Sequence, residues 1–248
     1  MSGHNKWSTI KRKKGAADAK RSNIFSKIVK EISVAVKESG PDPEGNPRLR
    51  MAIQNAKGVN MPKDNIERAI NKASGEGAIY QEMTFEGYAT GGVAIFVECL
   101  SDNNNRTVSN MRAIFNKRNG SLGTNGSLAF IFDRKGVFTV PKGNINQEEF
   151  ELEVIDGGAE EMELIDDKYI IKTSFEDFGN MQRKLEELKI EPENAELQRI
   201  PNTFKSIDLE TAKKVFKMID AFEDDDDVQN VFHNMEMTDE IEKFINEE

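Results

Sequence analysis

The sequence predicts an α+β protein: an N-terminal three-helix domain followed by two α/β sandwich domains, one ferredoxin-like and inserted into the other. Three observations carry this prediction. Apolar residues recur at helical spacing up to about residue 80, and the pattern then turns to period two, broken by short helical runs. Residues 136–200 read as strand, helix, strand, strand, helix, strand, the split-βαβ order of a ferredoxin-like unit. A last helix and strand, at about 208–222 and 228–236, lack partners of their own and complete the strand–strand–helix–strand run of 84–132. The expected domains are therefore 1–80, a discontinuous 81–133 plus 202–248, and an inserted 134–201.

Each element has a local reason. In SNIFSKIVKEISVAVKESG (22–40), Ile24, Phe25, Ile28, Val29, Ile32, Ala35 and Val36 share one helical face, with Lys27, Lys30 and Lys37 off it. Ser22 is placed to cap this helix, and Gly40 followed by Pro41 stops it. Asn46 caps a second helix with Pro47 at its first position, where a missing N–H costs nothing, and Gly58 ends it. Its apolar face is Leu49, Ala52, Ile53 and Ala56. A third helix starts near Pro62, buries Ile66, Ala69, Ile70 and Ala73, and ends at Gly75.

Beyond residue 80, Phe85–Ala89 and Val93–Leu100 read as strands around a Gly-Gly turn. Arg106–Lys117 is a helix with Val108, Met111, Ile114 and Phe115 inward, and Leu128–Phe132 reads as a third strand. The inserted block runs from strand Gly136–Val140 to helix Gln147–Asp156 and strands Glu161–Ile165 and Tyr169–Thr173. It closes with a helix from Phe175 to Leu188 and a strand at Ala195–Ile200.

Composition narrows the function classes. The chain has 248 residues, 37% hydrophobic and 31% charged, enough to bury a core but rich in surface. No stretch approaches the roughly 18 apolar residues of a membrane span; GGVAIFVECL (91–100) is strand-sized. The basic N-terminus has no apolar run behind it, which predicts a mature cytosolic start and a cytoplasmic protein without membrane partners. The single Cys99 lies in a strand-like apolar run and reads as a small buried hydrophobe.

Charge is divided by position. The chain carries −10 overall, yet residues 1–80 hold 16 basic and 8 acidic residues, whereas 81–248 hold 18 and 36. The opening tract GHNKWSTIKRKKGAADAKR (3–21) sets seven Lys or Arg against one Asp. One-sided charge of this density is the footprint of phosphate binding. The candidate nucleic-acid contacts are Lys6, Lys11, Arg12, Lys13 and Lys14 in the tract, with Lys20, Arg21, Lys27 and Lys30 continuing along the first helix. Arg48, Arg50, Lys57 and Lys63 extend the set, and Arg106 adds one cation from the second domain. Trp7 either stacks on an exposed base or anchors the tract to the helical bundle.

Other motifs point away from catalysis. The loop NGSLGTNGS (119–127) has neither a Walker lysine nor dinucleotide spacing and reads as a helix end plus turn. EDDDD (223–227) lacks the alternation and glycine of a calcium loop and reads as a solvated helix end. His4 and His233 have no neighbouring Cys or His to share zinc. No nucleophile–base pair is visible, so the expectation is a non-enzyme without cofactor or metal.

GHNKWSTIKRKKGAADAKRSNIFSK, GNPRLRMAIQNAKGVNMPKDNIERAI, FEGYATGGVAIFVECLSDNNNRTVSNMRAIFNKRNGSLG and DDDDVQNVFHNM closely resemble the YebC/PmpR family. The resemblance covers nearly the whole chain, most specifically residues 3–72 and 84–133. It implies a helical bundle followed by two α/β domains, and a nucleic-acid-binding regulatory role. That role is either DNA-binding transcriptional regulation or ribosome-associated translational activation. In the latter the basic domain would grip ribosomal RNA while the acidic domains face the ribosome or translation machinery. Two positions depart from the family pattern. Ala-Thr-Gly-Gly follows Tyr88 where Gly-Pro-Gly-Gly is common, and Asn104 stands where many members carry a basic residue.

Overall fold

The computed structural model describes residues 18–75 and 77–247. Three helices come first: α1 (Asp18–Ser39), α2 (Pro47–Gly58) and α3 (Lys63–Ser74). They are followed by β1 (Gln81–Tyr88), β2 (Ala94–Ser101), α4 (Asn104–Lys117), β3 (Ser121–Leu122) and β4 (Phe132–Pro141). Then come α5 (Gln147–Asp156), β5 (Ala159–Ile165), β6 (Lys168–Ser174), α6 (Phe178–Glu187) and β7 (Asn194–Pro201). The chain closes with α7 (Leu209–Glu223), β8 (Val228–His233) and α8 (Asp239–Glu247). By contact, these elements group into two compact units. One joins the described residues up to Lys30 with Ile79–Asp133 and the chain from Ile200 onward; the other joins Glu31–Ala78 with Arg134–Arg199.

The first unit is built on a four-stranded sheet ordered β3-β1-β2-β8. β2 is its centre, pairing antiparallel with β1 (Phe85 opposite Val97) and with β8 (Val97 opposite Val231). Strand alternation divides its side chains between two cores. Ile95, Val97 and Cys99 face the helices, packing with Met111 and Phe115 of α4 and Val215, Met218, Ile219 and Phe222 of α7. Ala94 and Phe96 point to the other side, where Leu128, Ile131, Phe132 and Phe232 cover them. β8 thus returns about 130 residues later to fill the edge beside β2, and the second sheet is inserted between.

The second unit carries the ferredoxin-like block, with strand order β5-β6-β4-β7. β6 pairs antiparallel with both β4 (Phe138 opposite Ile171) and β5 (Met162 opposite Ile171). Phe138, Val140, Tyr169 and Ile171 form the core with Phe150 and Val154 of α5 and Met181 and Leu185 of α6. In the helical part of this unit, Asn46 Oδ1 accepts from the Leu49 amide at 3.0 Å and caps α2, with Pro47 inside its first turn. The same side chain donates to the Ala35 carbonyl at 2.7 Å and the Gly40 carbonyl at 2.8 Å, tying the end of α1 to the start of α2. Asn55 of α2 bonds both backbone groups of Ala195 on β7, at 2.9 Å each. At the end of α2, any Cβ on Gly58 would run into the Glu193 carbonyl, so the close approach requires glycine.

Three local expectations are corrected. Leu128–Phe132 is a turn rather than a strand until Phe132, where β4 begins; the third strand of the first sheet is the two-residue β3. The apolar run LAFIF buries Leu128 and Ile131 against the sheet face by turning, without alternation. Ser22 lies inside α1, which already runs from Asp18. The last strand ends at His233, and the helix α8 follows, with Ile241 and Ile245 buried in the first unit's core.

Candidate nucleic-acid interface

Lys6, Trp7, Lys11, Arg12, Lys13 and Lys14 lie outside the described residues, and Lys20 and Arg21 fall on the first turn and a half of α1. The remaining candidate cations divide sharply by what they touch.

Lys30 and Arg106 converge on one carboxylate. Asn103 caps α4 by accepting from the Arg106 amide at 3.1 Å, which sets Arg106 and Thr107 in the first turn facing the start of β8. Arg106 Nη2 donates to both carboxylate oxygens of Asp227 at 2.8 Å, and its Nε adds a bond of 3.1 Å. Lys30 Nζ donates to Asp227 Oδ1 at 3.0 Å and to the carbonyls of Leu100 (3.2 Å) and Asp226 (2.7 Å). Thr107 and Ser101 donate their hydroxyls to Asp227 Oδ2 at 2.8 and 3.1 Å. The Asp227 side chain is only 2% exposed. Burial alone would raise its pKa, but the bonds from Arg106, Lys30 and Thr107 outweigh it and hold the carboxyl below its ordinary range. Arg106 is raised in turn, first by its bond to Asp227 and then by Asp102.

Asp227 therefore departs from the solvated helix end expected of EDDDD. Asp225 also has internal duties, since it accepts from Asn110 at 2.8 Å and from the Asp227 amide at 3.0 Å. Asp225 and Asp227 are hydrogen-bond acceptors of the fold, whereas Asp224 and Asp226 are exposed, as expected of a solvated helix end. Among the described residues, no cluster of three or more His, Cys, Asp or Glu is arranged to hold a metal ion.

Lys27 is half-buried and donates to the Gln229 carbonyl at 3.4 Å. Burial, reinforced by the charge of Lys30, lowers its pKa to about 8, against the opposing pull of Cys99, Asp224 and Asp225. Cys99 beside it is 2% exposed, and burial first, then Asp225 and Asp227, push its thiol up to about 12. It stays a thiol at neutral pH.

In the second unit, Arg48 bridges Glu38 at 2.7 Å and Glu31 at 3.3 Å. Arg50 donates to the carbonyls of Pro43 (2.8 Å) and Glu44 (2.9 Å) and lies 3.4 Å from Glu186. Lys57 is exposed at the end of α2. Lys63 is 86% exposed and only loosely paired with Glu67, at 3.4 Å. The structure thus groups Lys30 with Arg106, places Lys27 one turn before Lys30, and sets Arg48, Arg50, Lys57 and Lys63 apart in the other unit.

In the glycine-rich loop 119–127 the amides of Gly120, Gly123, Gly126 and Ser127 are bonded within the chain. Glu86, 4% exposed, accepts from the amides of Gly126 and Leu128 at 2.6 Å each, and its own carbonyl accepts from Gly123 at 2.7 Å. A carboxylate sits where a phosphate-binding loop would hold its ligand.

Fold and polar network together describe an α+β protein of two compact units whose buried carboxylates Asp227 and Glu86 are hydrogen-bonded within the chain, without an assembled acid–base–nucleophile constellation among the described residues. Residues 5–76 match the model of the TACO1/YebC protein N-terminal domain, and residues 80–235 match that of the TACO1/YebC second and third domain. The chain belongs to the TACO1/YebC family. A relative from Amoebophilus asiaticus is 52% identical over 95% of this chain and 98% of its own length. One from Chlorobaculum parvum is 47% identical over the whole of both chains. Both are named "Probable transcriptional regulatory protein". The crystal structure of a conserved hypothetical protein from Aquifex aeolicus, 44% identical, superposes with a TM-score of 0.78 over 88% of this chain and 91% of that one.

Proposed function

We propose that this protein is a DNA-binding transcriptional regulator that grips the phosphate backbone through its basic N-terminal tract, without catalytic chemistry. The observation that carries the reading is the charge division: 16 basic against 8 acidic residues in 1–80, and 18 against 36 thereafter. A strongly acidic body repels nucleic acid, so a basic tract of this density directs which end approaches. The names of the full-length relatives support regulation of transcription as the setting.

In this reading the contacts fall to Lys6, Lys11, Arg12, Lys13, Lys14, Lys20 and Arg21, with exposed Lys57 and Lys63 as outlying contributors. Lys27, Lys30, Arg48, Arg50 and Arg106 act on the chain itself: their donors are taken by Gln229, Asp227, Glu31, Glu38, Pro43 and Glu44. Phosphate contacts of this kind position a protein without reading sequence.

The test is a titration of full-length protein with duplex DNA and, separately, with a ribosomal RNA helix, across a range of salt. Tight binding to duplex DNA with a steep salt dependence is expected. Replacing Lys11, Arg12, Lys13 and Lys14 with Ala is expected to weaken binding to every sequence alike and reduce the salt slope by about 0.9 per lost duplex contact. Unchanged binding by that variant refutes the assignment. A strong preference for the RNA helix moves the function to ribosome-associated translation.

A further inference from the structure

The second domain contains a stretch that its overall charge conceals. Residues 103–132 hold four basic residues, Arg106, Arg112, Lys117 and Arg118, and no Asp or Glu, although 81–248 carry 36 acids. Arg106 is bound to Asp227; the other three are exposed.

The fold adds two more cations beside them. α4 and α7 lie side by side, joined by Phe115 and Phe222 with ring centroids 4.9 Å apart. They run antiparallel: Asn110, early in α4, donates to Asp225 just past the end of α7, whereas Gly120, just past α4, abuts Met218 in mid-α7. Lys117 is seven residues after Asn110, on the same line of α4 that borders α7. Lys214 is four residues before Met218, on the line of α7 that borders α4, and Lys217 lies one turn further along the exposed side. Lys117, Arg118, Lys214 and Lys217 are all exposed, and among the described residues none has a carboxylate within ion-pair distance. Along α7, Glu210 lies one turn before Lys214, feels its charge and is ion-paired with Lys213 at 2.6 Å, and Asp220 lies three residues after Lys217.

We infer that this outer face of α4 and α7 is a second contact surface for a phosphodiester backbone, extending the nucleic-acid reading above, on which it rests. Helix-dipole complementarity accounts for Lys117 and Arg118 at the end of α4. It gives no reason for Lys214 and Lys217 in the middle of α7, or for the absence of acids across thirty residues of an acidic domain. A polyanion approaching the domain explains both, because carboxylates among the cations of 103–132 would weaken every phosphate contact beside them. Exposed Asn116, Asn119 and Thr124 supply neutral donors around the cations, as phosphate and sugar contacts require.

The probes are a mixed-sequence duplex DNA and a ribosomal RNA helix, each titrated with full-length protein at several salt concentrations. The variant K214Q/K217Q is compared with the parent and with R183Q/K189Q, which removes two exposed charges from the ferredoxin-like block. The inference predicts that K214Q/K217Q binds roughly tenfold more weakly at low salt, with a slope shallower by about 0.9 per contact on the duplex, while R183Q/K189Q matches the parent. Adding K117Q and R118Q deepens the loss. Thermal unfolding of all variants is expected to match the parent, which separates lost contact from lost fold. If the parent binds and K214Q/K217Q binds equally well, the surface is refuted while the N-terminal tract keeps its role. If both paired variants weaken alike, the effect is one of net charge and the surface is again refuted. A parent that binds neither probe at any salt concentration removes the nucleic-acid reading, and this surface with it.

Discussion

Lys30 and Lys214 are both lysines on amphipathic helices of one compact unit, and they stand in opposite circumstances. Lys30 is held by Asp227 and by two carbonyls, with its side chain 13% exposed. Lys214 is exposed and has no carboxylate at ion-pair distance among the described residues. Around Lys30 the chain has gathered the first helix, the end of β2, the start of α4 and the start of β8 onto one buried carboxylate. Around Lys117 it has kept acids out of residues 103–132, and Lys214 has Glu210 one turn away, ion-paired with Lys213. Charge counted along a sequence does not distinguish these two arrangements, yet only the second leaves a cation able to meet a phosphate. The Asp227 cluster stabilises the fold, and the outer face of α4 and α7 is left for a partner.

The contrast can be broken at several points, and the largest effect is expected at Asp227. Asp227→Ala leaves Lys30 without its carboxylate and Arg106 with Asp102 alone, and should destabilise the protein by about 3 kcal/mol in denaturant unfolding. A cost under about 0.5 kcal/mol would mean that the cluster is not a stabilising centre. The same carboxylate sets an acid dependence. Its pKa is depressed in the folded state, so its contribution is present above the ordinary carboxylate range and is lost as pH falls through the folded value. Asp227→Asn should therefore flatten the loss of stability below about pH 4. An unchanged acid profile would contradict the assignment.

A smaller effect of opposite sign is expected at Lys27. Its folded pKa, about 8 against an ordinary 10.5, means that the unfolded chain binds the proton more readily between those values. Stability at this site rises with pH through that window, and at neutral pH the buried charge is a cost. Lys27→Met should raise stability at pH 7 by about 1 kcal/mol, an advantage that shrinks between pH 8 and 10.5. A destabilised variant at pH 7 would show that the bond to Gln229 outweighs burial. The smallest effect belongs to the outer cations: Lys214→Gln and Lys217→Gln should each change stability by less than about 0.5 kcal/mol. A larger loss would place them in the fold's own machinery.

Much of the architecture was legible because local chemistry and global fold agree. The α1 helix, the Asn46–Pro47 start of α2 and the β-α-β-β-α-β order are all present in the structure, although Ile24 of the expected α1 stripe is exposed and Val34 outside it is buried. The misreadings have physical causes. LAFIF looks like a strand because it is apolar, but Leu128 and Ile131 reach the sheet from a turn held by Glu86, more than forty residues earlier. α8 is short and heavily acidic, and its signal was the pair Ile241 and Ile245 at helical spacing. Least legible was the state of each cation. Lys30 meets Asp227 across nearly two hundred residues, and Arg106 meets it across 121, separations that no local pattern encodes. A signal for Asp227 did exist, since it is the one acid of its run that directly precedes the apolar start of β8.

The central claim is that open cations, and not merely numerous ones, carry the nucleic-acid contacts. The most direct test compares two charge-matched variants of the full chain on duplex DNA as salt is varied. Arg48→Gln/Arg50→Gln removes cations already bonded to Glu31, Glu38, Pro43 and Glu44; Lys214→Gln/Lys217→Gln removes cations without an ion-pair partner among the described residues. The account predicts that the first pair keeps the parent's salt slope while the second lowers it by about 0.9 per lost contact. Equal slopes for the two pairs, or a larger fall for Arg48 and Arg50, would contradict it.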